Sequence, residues 1–476
     1  MQKIIIKNFG AIASAEIEIK KVLVLIGEQA SGKSTIAKLI YFFKSLRDDV
    51  FNQIYQDKKR DYFDEDSDII FVLQEKFYNW FGSTERIGNF EIKFYYDCAT
   101  NKYLNLYLNK EKVVKCDSSE NFYDDNFCNS ISEIKKLLQK GLGTNSIYEQ
   151  LAYEQNKISY SQILSSQLNN LFNCNQEDSL FVIAGRSATV SYSELFDKYL
   201  FASVQSRLEK NSDLTLHLKM QTVDEILMLE FIKKIASNKS YLSGWESGFK
   251  KIKQIRNNFE HSTINKQSSK QIKRDLESTR VVEILKGEYI NDDGEEKIKL
   301  NSQESIDIRN ASSGQQEAIR ILQDIIVVMR KQSKILRVVE EPEAHLFPIA
   351  QKKLVELLAL MVNQDDDNQL IITTHSPYIL SVFNNLLFAQ RVVDKNSSAE
   401  AEVTELIPKE FWLKAEEFSA YSLGNSSIEE EPEYCESIFN QQTGAIKQNY
   451  LDAVSEMLGG DFNALYRIHG KTFRRK

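Results

Sequence analysis

The stretch best equipped for chemistry is GEQASGKST, Gly27 to Thr35. It fits G-x-x-x-x-G-K-[ST], in which glycines let backbone N–H groups face phosphate oxygens. The lysine reaches the outer phosphates, and the Ser/Thr hydroxyl can meet a divalent cation. The candidate cradle is Gly27, Glu28, Gln29, Ala30, Ser31, Gly32, Lys33, Ser34 and Thr35. This chemistry needs a buried strand before the loop and a helix after it. Val22 to Ile26 is an unbroken apolar run, as in a strand covered on both faces. Ile36, Leu39, Ile40 and Phe43 follow at i, i+3, i+4 and i+7, one face of a helix. The stretch reads as a nucleotide site.

Three later motifs supply what a phosphate loop lacks. In NASSGQQEAIRILQ, Ser312, Ser313 and Gly314 can turn backbone N–H groups toward an anion at a helix start, where the helix dipole also favours negative charge. Ile319, Leu322, Ile326 and Met329 continue that helix on one face. Next, Ile335-Leu-Arg-Val-Val reads as a buried strand ending in Glu340-Glu341-Pro342. Two carboxylates at the end of a buried strand are costly unless a cation or a water uses them. Last, Leu370-Ile-Ile-Thr-Thr delivers His375 to the end of another apolar run. Ligands of open α/β sheets sit beyond the carboxyl ends of the strands, so the three motifs converge on the phosphate loop.

The remaining elements must position these residues. Lys3–Lys7 and Glu16–Lys20 read as paired strands around Phe9-Gly10-Ala11-Ile12. Phe9 suits either stacking on a base or a place in the core. The acidic, aromatic stretch from Asp48 to Asp68 has no clear period. Phe90–Tyr96 and Tyr103–Leu108 alternate as antiparallel strands, Asp117–Asn129 reads as a loop, and Ile131–Leu171 as mostly helical. A buried strand from Leu180 ends at Gly185-Arg186-Ser187, where Arg186 either meets phosphate or is solvated. Residues 193–286 then read as a helical insertion. Within it, 231–280 holds twelve Lys/Arg against four acids, a net of +8 that suits either a solvated helical face or a polyanion-docking surface. Val281–Leu300 reads as a hairpin turning at Asp292-Asp293-Gly294. Beyond about Glu402 the chain is expected to pack on the head or receive a partner.

Bulk properties narrow the class. The 476 residues are 42% hydrophobic, ample for a packed core, and the net charge of −8 argues against a nucleic-acid partner held by overall charge. Five cysteines without C-x-x-C pairs or metal spacing read as reduced thiols. No apolar run approaches the ~18 residues that span a bilayer. No membrane partner and a cytoplasmic location are the expectation.

Taken together, GEQASGKST, ASSGQ (Ala311 to Gln315), VVEEPEAHLFP (Val338 to Pro348) and TTHSP (Thr373 to Pro377) resemble the ABC-type ATPase heads of transporters, structural-maintenance-of-chromosomes (SMC) proteins and the overcoming-lysogenization-defect (OLD) family. The EEPEAHLFP form is most similar to the OLD-like branch. The resemblance implies an α/β P-loop NTPase with an ABC-ATPase-like head, formed by 1–192 and 287–400. An all-helical insertion (193–286) and a C-terminal extension (401–476) complete the layout. It implies an ATPase using ATP and Mg²⁺. Lys33 would hold the β- and γ-phosphates, Ser34 and Glu340 the metal, and Glu341 the attacking water. His375 would sense the γ-phosphate, and the Ser312–Ser313–Gly314 turn would contact nucleotide bound to a second copy. A head-to-tail dimer follows.

The glutamine that usually joins such sites is not assignable among Gln53, Gln56 and Gln74. No nuclease constellation is visible, and Asp365-Asp366-Asp367 lies in an expected loop before the histidine strand. Stand-alone heads of this kind are similar to ATPase subunits of Septu-type and PARIS-type antiphage systems, which act with a separate effector such as a nuclease. Two alternatives are a DNA-repair or chromosome-associated ATPase clamping DNA through 231–280, and a transporter's cytosolic ATPase.

Overall fold

The computed structural model describes residues 1–56, 65–123, 127, 129–134, 147–192, 222–242, 269–292, 295–424, 434–447, 460 and 462–467. In chain order the elements begin with β1 (Gln2–Phe9), β2 (Ile12–Ile19), β3 (Val22–Gly27), α1 (Lys33–Gln56) and α2 (Glu65–Phe81). Then come β4 (Glu91–Asp97), β5 (Lys102–Leu108), β6 (Val114–Ser118), α3 (Ile147–Leu171), β7 (Asp178–Val182) and α4 (Ser187–Ser191). The helices α5 (Val223–Leu242) and α6 (Ser269–Leu285) precede β8 (Glu288–Asp292), β9 (Glu295–Lys299) and β10 (Ser305–Asp307). The last third holds α7 (Ser313–Lys331), β11 (Ile335–Glu340), α8 (Pro348–Val362), β12 (Gln369–Thr374), α9 (Pro377–Lys395), α10 (Glu400–Leu406), β13 (Phe418–Leu423) and β14 (Cys435–Ser437). These elements fall into two compact units.

The described residues of the first unit lie in 1–20, 34–181 and 222–230. Its sheet is antiparallel, in the order β2-β1-β4-β5-β6. Ile4 pairs with Ile17 on one side and Phe94 on the other, so the alternating apolar residues share one buried face. Aromatic rings of α1 and α2 fill that face, with Phe43 stacked on Phe94 at 5.0 Å. Phe9 belongs to the same core. Its ring lies 5.0 Å from Phe90 and 5.2 Å from Phe81, and it is 5% exposed. Ile36, Leu39, Ile40 and Phe43 of α1 are all fully buried, the face their spacing predicts.

Two boundaries in this unit differ from the sequence reading. The helix α1 runs on to Gln56, into the acidic stretch that showed no period; residues 57–64 of that stretch lie outside the described residues. The segment read as a loop from Asp117 begins inside β6, where Asp117 pairs with Asn105. In α1, Lys44 is buried, and its Nζ has no hydrogen-bond partner among the described residues.

The described residues of the second unit lie in 21–33, 182–192 and from 231 onward. Its central strands run in the order β14-β13-β3-β12-β11, with β13, β3, β12 and β11 mutually parallel. Every residue of β3, β11 and β13 is buried, as expected for parallel strands covered on both faces. The register sets Glu340 beside Thr373, Thr374 beside Ile26, and Leu423 beside Gly27. The carboxyl ends of four strands therefore finish together. Between α6 and α7, a three-stranded antiparallel sheet runs β10-β9-β8.

The hairpin is shorter than the sequence reading. Val281 to Leu285 completes α6, because Val281, Ile284 and Leu285 sit at i, i+3 and i+4 on a buried helical face. The described parts of the basic segment, 231–242 and 269–280, are helical, and 243–268 lies outside the described residues. Part of its charge is used internally, since Arg280 donates to Glu356 at 2.5 Å and to Glu283 at 3.1 Å.

Candidate functional site

The phosphate loop leaves β3 through a position that only glycine fills. Gly27 has φ +156°, and a Cβ there would lie 2.2 Å from the Leu423 carbonyl oxygen of β13. Ala30 and Gly32 also carry positive φ, 62° and 84°, so the loop winds back on itself before α1 begins at Lys33. Lys33 is 5% exposed, and its ammonium donates to the carbonyl oxygens of Gly27 at 3.0 Å and Glu28 at 2.6 Å. Burial lowers its pKa against the opposing pull of Glu341, Glu343 and Glu28. The Tyr434 hydroxyl donates to the Ser31 carbonyl at 2.6 Å, so the C-terminal segment holds the loop from its far side. Ser34 and Thr35 form the first turn of α1.

At the end of β11, Glu340 is 4% exposed, and its carboxylate accepts the Ala184 N–H at 3.3 Å. The next residue, Glu341, adopts φ +41°, which turns the chain out of the sheet, and its N–H donates to the Thr373 carbonyl. The Glu341 carboxylate is 40% exposed, and its Oε1 lies 3.4 Å from His375 Nε2. The adjacent carboxylates thus differ in kind: Glu340 is enclosed, and Glu341 is open to a small reactant. Glu343 closes the turn, its Oε1 accepting from the Thr374 hydroxyl and the His375 N–H, both at 2.7 Å.

Arg186 corrects both sequence readings. It neither faces solvent nor stands free to meet phosphate, being 0% exposed with every guanidinium nitrogen committed. It donates to the carbonyls of Ile183 at 2.9 Å, Glu340 at 2.7 Å and Glu341 at 3.0 Å, and its Nε to the Glu317 carbonyl at 3.3 Å. Glu317, itself 2% exposed on α7, pairs with Arg186 at 3.3 Å and accepts the N–H groups of Arg186 and Ser187, each at 3.1 Å. Burial lowers the Arg186 pKa, opposed chiefly by Glu317 and then by Glu343, Glu340 and Glu341. The sequence did hold a signal for Glu317. An acid at i, with Ile321 and Ile325 at i+4 and i+8, sits on an apolar helix face and calls for a buried cation.

The Ser312–Ser313–Gly314 turn caps α7. Ser312 and Gln315 form a capping box, the Ser312 side chain accepting the Gln315 N–H while the Gln315 side chain accepts the Ser312 N–H. Ser312 and Ser313 are exposed, which leaves this helix start open to another molecule. A Cβ on Gly314 would lie 2.6 Å from the His345 carbonyl oxygen, so only glycine lets the turn rest against the loop after β11. Among the glutamine candidates, Gln74 donates to the Val114 carbonyl, Gln53 is half-buried, and the side chain of Gln56 lies outside the described residues.

Parallel strands that finish together at a glycine-walled phosphate loop are the mark of a P-loop NTPase, here with an ABC-ATPase-like α/β fold of mixed sheets and flanking helices. Residues 1–380 match the AAA_15 model, an AAA ATPase domain, and the chain belongs to that family. Comparison with curated proteins gives no match. Among solved structures, the chain is similar to an SMC head bound to the C-winged helix domain of ScpA. That structure is 12% identical, with 80% of this chain and 90% of that chain covered and a TM-score of 0.33. An SMC head domain from Thermotoga maritima is 10% identical over the same shares, with a TM-score of 0.30. Among the described residues, no helix is long and apolar enough to cross a membrane.

Proposed function

We propose that this chain binds ATP with Mg²⁺ and hydrolyses it between two head-to-tail copies, using the nucleotide cycle to control a separate effector. The observation that carries the reading is the pairing of an open Glu341 with His375, 3.4 Å apart, at the sheet edge where the Lys33 loop also ends. Phosphoryl transfer asks a protein for positioning and charge neutralisation more than for covalent chemistry. Lys33 suits that task. Its present partners are carbonyls of its own loop, and a triphosphate offers its ammonium stronger, charged acceptors.

The donor set fits magnesium, since the Ser34 hydroxyl and the Glu340 carboxylate are hard oxygen donors of the kind that would hold it. Bound there, the ion would neutralise charge on the β- and γ-phosphates. Glu341 would hold the attacking water and take up its proton, and His375 would donate to the γ-phosphate and fix the Glu341 carboxylate. The exposed Ser312–Gly314 turn would complete the site of a second copy. The resemblance of EEPEAHLFP to the OLD-like branch supports a role in antiphage defence, with a nuclease as the effector and the cytoplasm as the location.

The test is ATP binding by Lys33→Ala. Affinity should fall below detection while the fold is kept; affinity near wild type removes the phosphate-loop assignment and the proposal with it.

A further inference from the structure

Arg186 and Glu317 join two parts of the site that the hydrolysis chemistry alone does not require to be joined. Glu317 lies one turn into α7, the helix whose first residues form the exposed Ser312–Gly314 turn. Its carboxylate holds the backbone N–H groups of Arg186 and Ser187, and the Arg186 guanidinium grips the carbonyls of Glu340 and Glu341. A second contact runs beside the first, where Gly314 packs on the His345 carbonyl of the same loop. Both ends of the bridge are fully buried, and the turn it holds contains backbone in the left-handed region at Glu341 and His345, φ +41° and +58°. Backbone of that kind persists only where its surroundings over-determine it.

We infer that Arg186 is a positioning residue for Glu341, and that with Glu317 it transmits the placement of the Ser312–Gly314 turn to the Glu341 carboxylate of the same chain. The inference rests on the proposed two-copy site and deepens it. Within one chain, the turn contacts the nucleotide of the other copy, while Glu341 serves the chain's own nucleotide. A rigid Glu317–Arg186 bridge between them makes engagement at one nucleotide felt at the other. Hydrolysis in the pair is then cooperative in ATP, with a source inside each chain.

The test compares full-length wild type with Glu317→Gln and Arg186→Lys. Glutamine keeps the shape of Glu317 and weakens its hold on the two N–H groups, and lysine keeps the charge at 186 but cannot span four carbonyls. For the variant that stays folded by melting temperature, ATP affinity should stay within about threefold, as the Lys33 loop is untouched. The maximal rate should fall roughly ten- to hundredfold, since a displacement of about 1 Å costs that much. The Hill coefficient in ATP should drop toward one.

Mixing in Lys33→Ala copies supplies a readout that a purely structural role would not move. Activity per wild-type chain should fall steeply with the mixed fraction, whereas activity per Glu317→Gln chain should stay level. Unchanged rate and Hill coefficient in a folded variant overturn the inference. So does a parallel loss of binding, rate and melting temperature in both variants, which marks the pair as structural only. If wild type itself fails to hydrolyse ATP, the proposed function falls first; if wild type hydrolyses cooperatively and the variants do too, only the bridge falls.

Discussion

Lys33 and Arg186 are both buried cations in the same unit, and they are buried to opposite ends. Arg186 is surrounded by partners fixed by the fold: four carbonyls and one carboxylate drawn from α7, β11 and its own turn. Among the described residues, Lys33 holds only the carbonyls of Gly27 and Glu28 and, at 3.4 Å, the Ser31 hydroxyl, all within its own loop. A planar guanidinium suits a permanent brace because its donors are set in one geometry, whereas an ammonium on a flexible stem can exchange partners. Lys44 of the first unit adds a third case. Buried without a hydrogen-bond partner among the described residues, its pKa is lowered to about 8 by desolvation, with Cys174 a weaker opposing influence. Arg186 is a brace, Lys44 is a cost, and under the proposed function Lys33 exchanges its loop carbonyls for phosphate oxygens.

The contrast predicts a ranking. Arg186→Ala strands Glu317 as a buried, uncompensated charge, and breaking such a pair costs about 3–5 kcal/mol, to be read from the urea midpoint of unfolding. Lys33→Ala should change that midpoint by less than about 1 kcal/mol while removing ATP binding. If the two substitutions destabilise equally, the distinction between brace and ligand is lost.

Lys44→Met should stabilise the protein at neutral pH by up to ~3 kcal/mol, the value corresponding to a shift from 10.5 to about 8. The sign follows from proton binding. Between about pH 8 and 10.5 the unfolded chain holds a proton on Lys44 that the folded chain has released, so wild-type stability gains from this group as pH rises through that window. The methionine variant should lack that gain, and equal slopes for the two proteins would show that Lys44 finds a partner. Gly27→Ala should cost about 1–3 kcal/mol for forcing a Cβ toward the Leu423 carbonyl. Its ATP affinity should fall as well, because the loop must shift to make room.

The difference between these cations also explains what the sequence could reveal. The placement of Lys33 is legible because its loop, strand and helix all lie within about twenty residues. The placements of Glu341 and His375 are legible because each follows a strand, and parallel strands carry their ends to one edge. The partners of Arg186 lie 131 to 155 positions away, apart from Ile183, and no periodicity near residue 186 announces them. Strand β13 was hidden for a related reason. Phe418-Ser-Ala-Tyr-Ser-Leu is short and half polar, and its place beside β3 rests on pairing with residues almost four hundred positions earlier. The end of α6 misled through composition, since Val281, Val282 and Ile284 favour strands by type but sit at helical spacing.

In the proposed function Glu341, and not its enclosed neighbour Glu340, handles the attacking water at a site completed by a second copy. The direct measurement is single-turnover ATP hydrolysis by Glu341→Gln, followed together with molar mass by light scattering. Hydrolysis should slow by at least ~100-fold, with ATP still bound and a dimer that persists. Should Glu340→Gln behave this way while Glu341→Gln turns over normally as a monomer, the claim is contradicted.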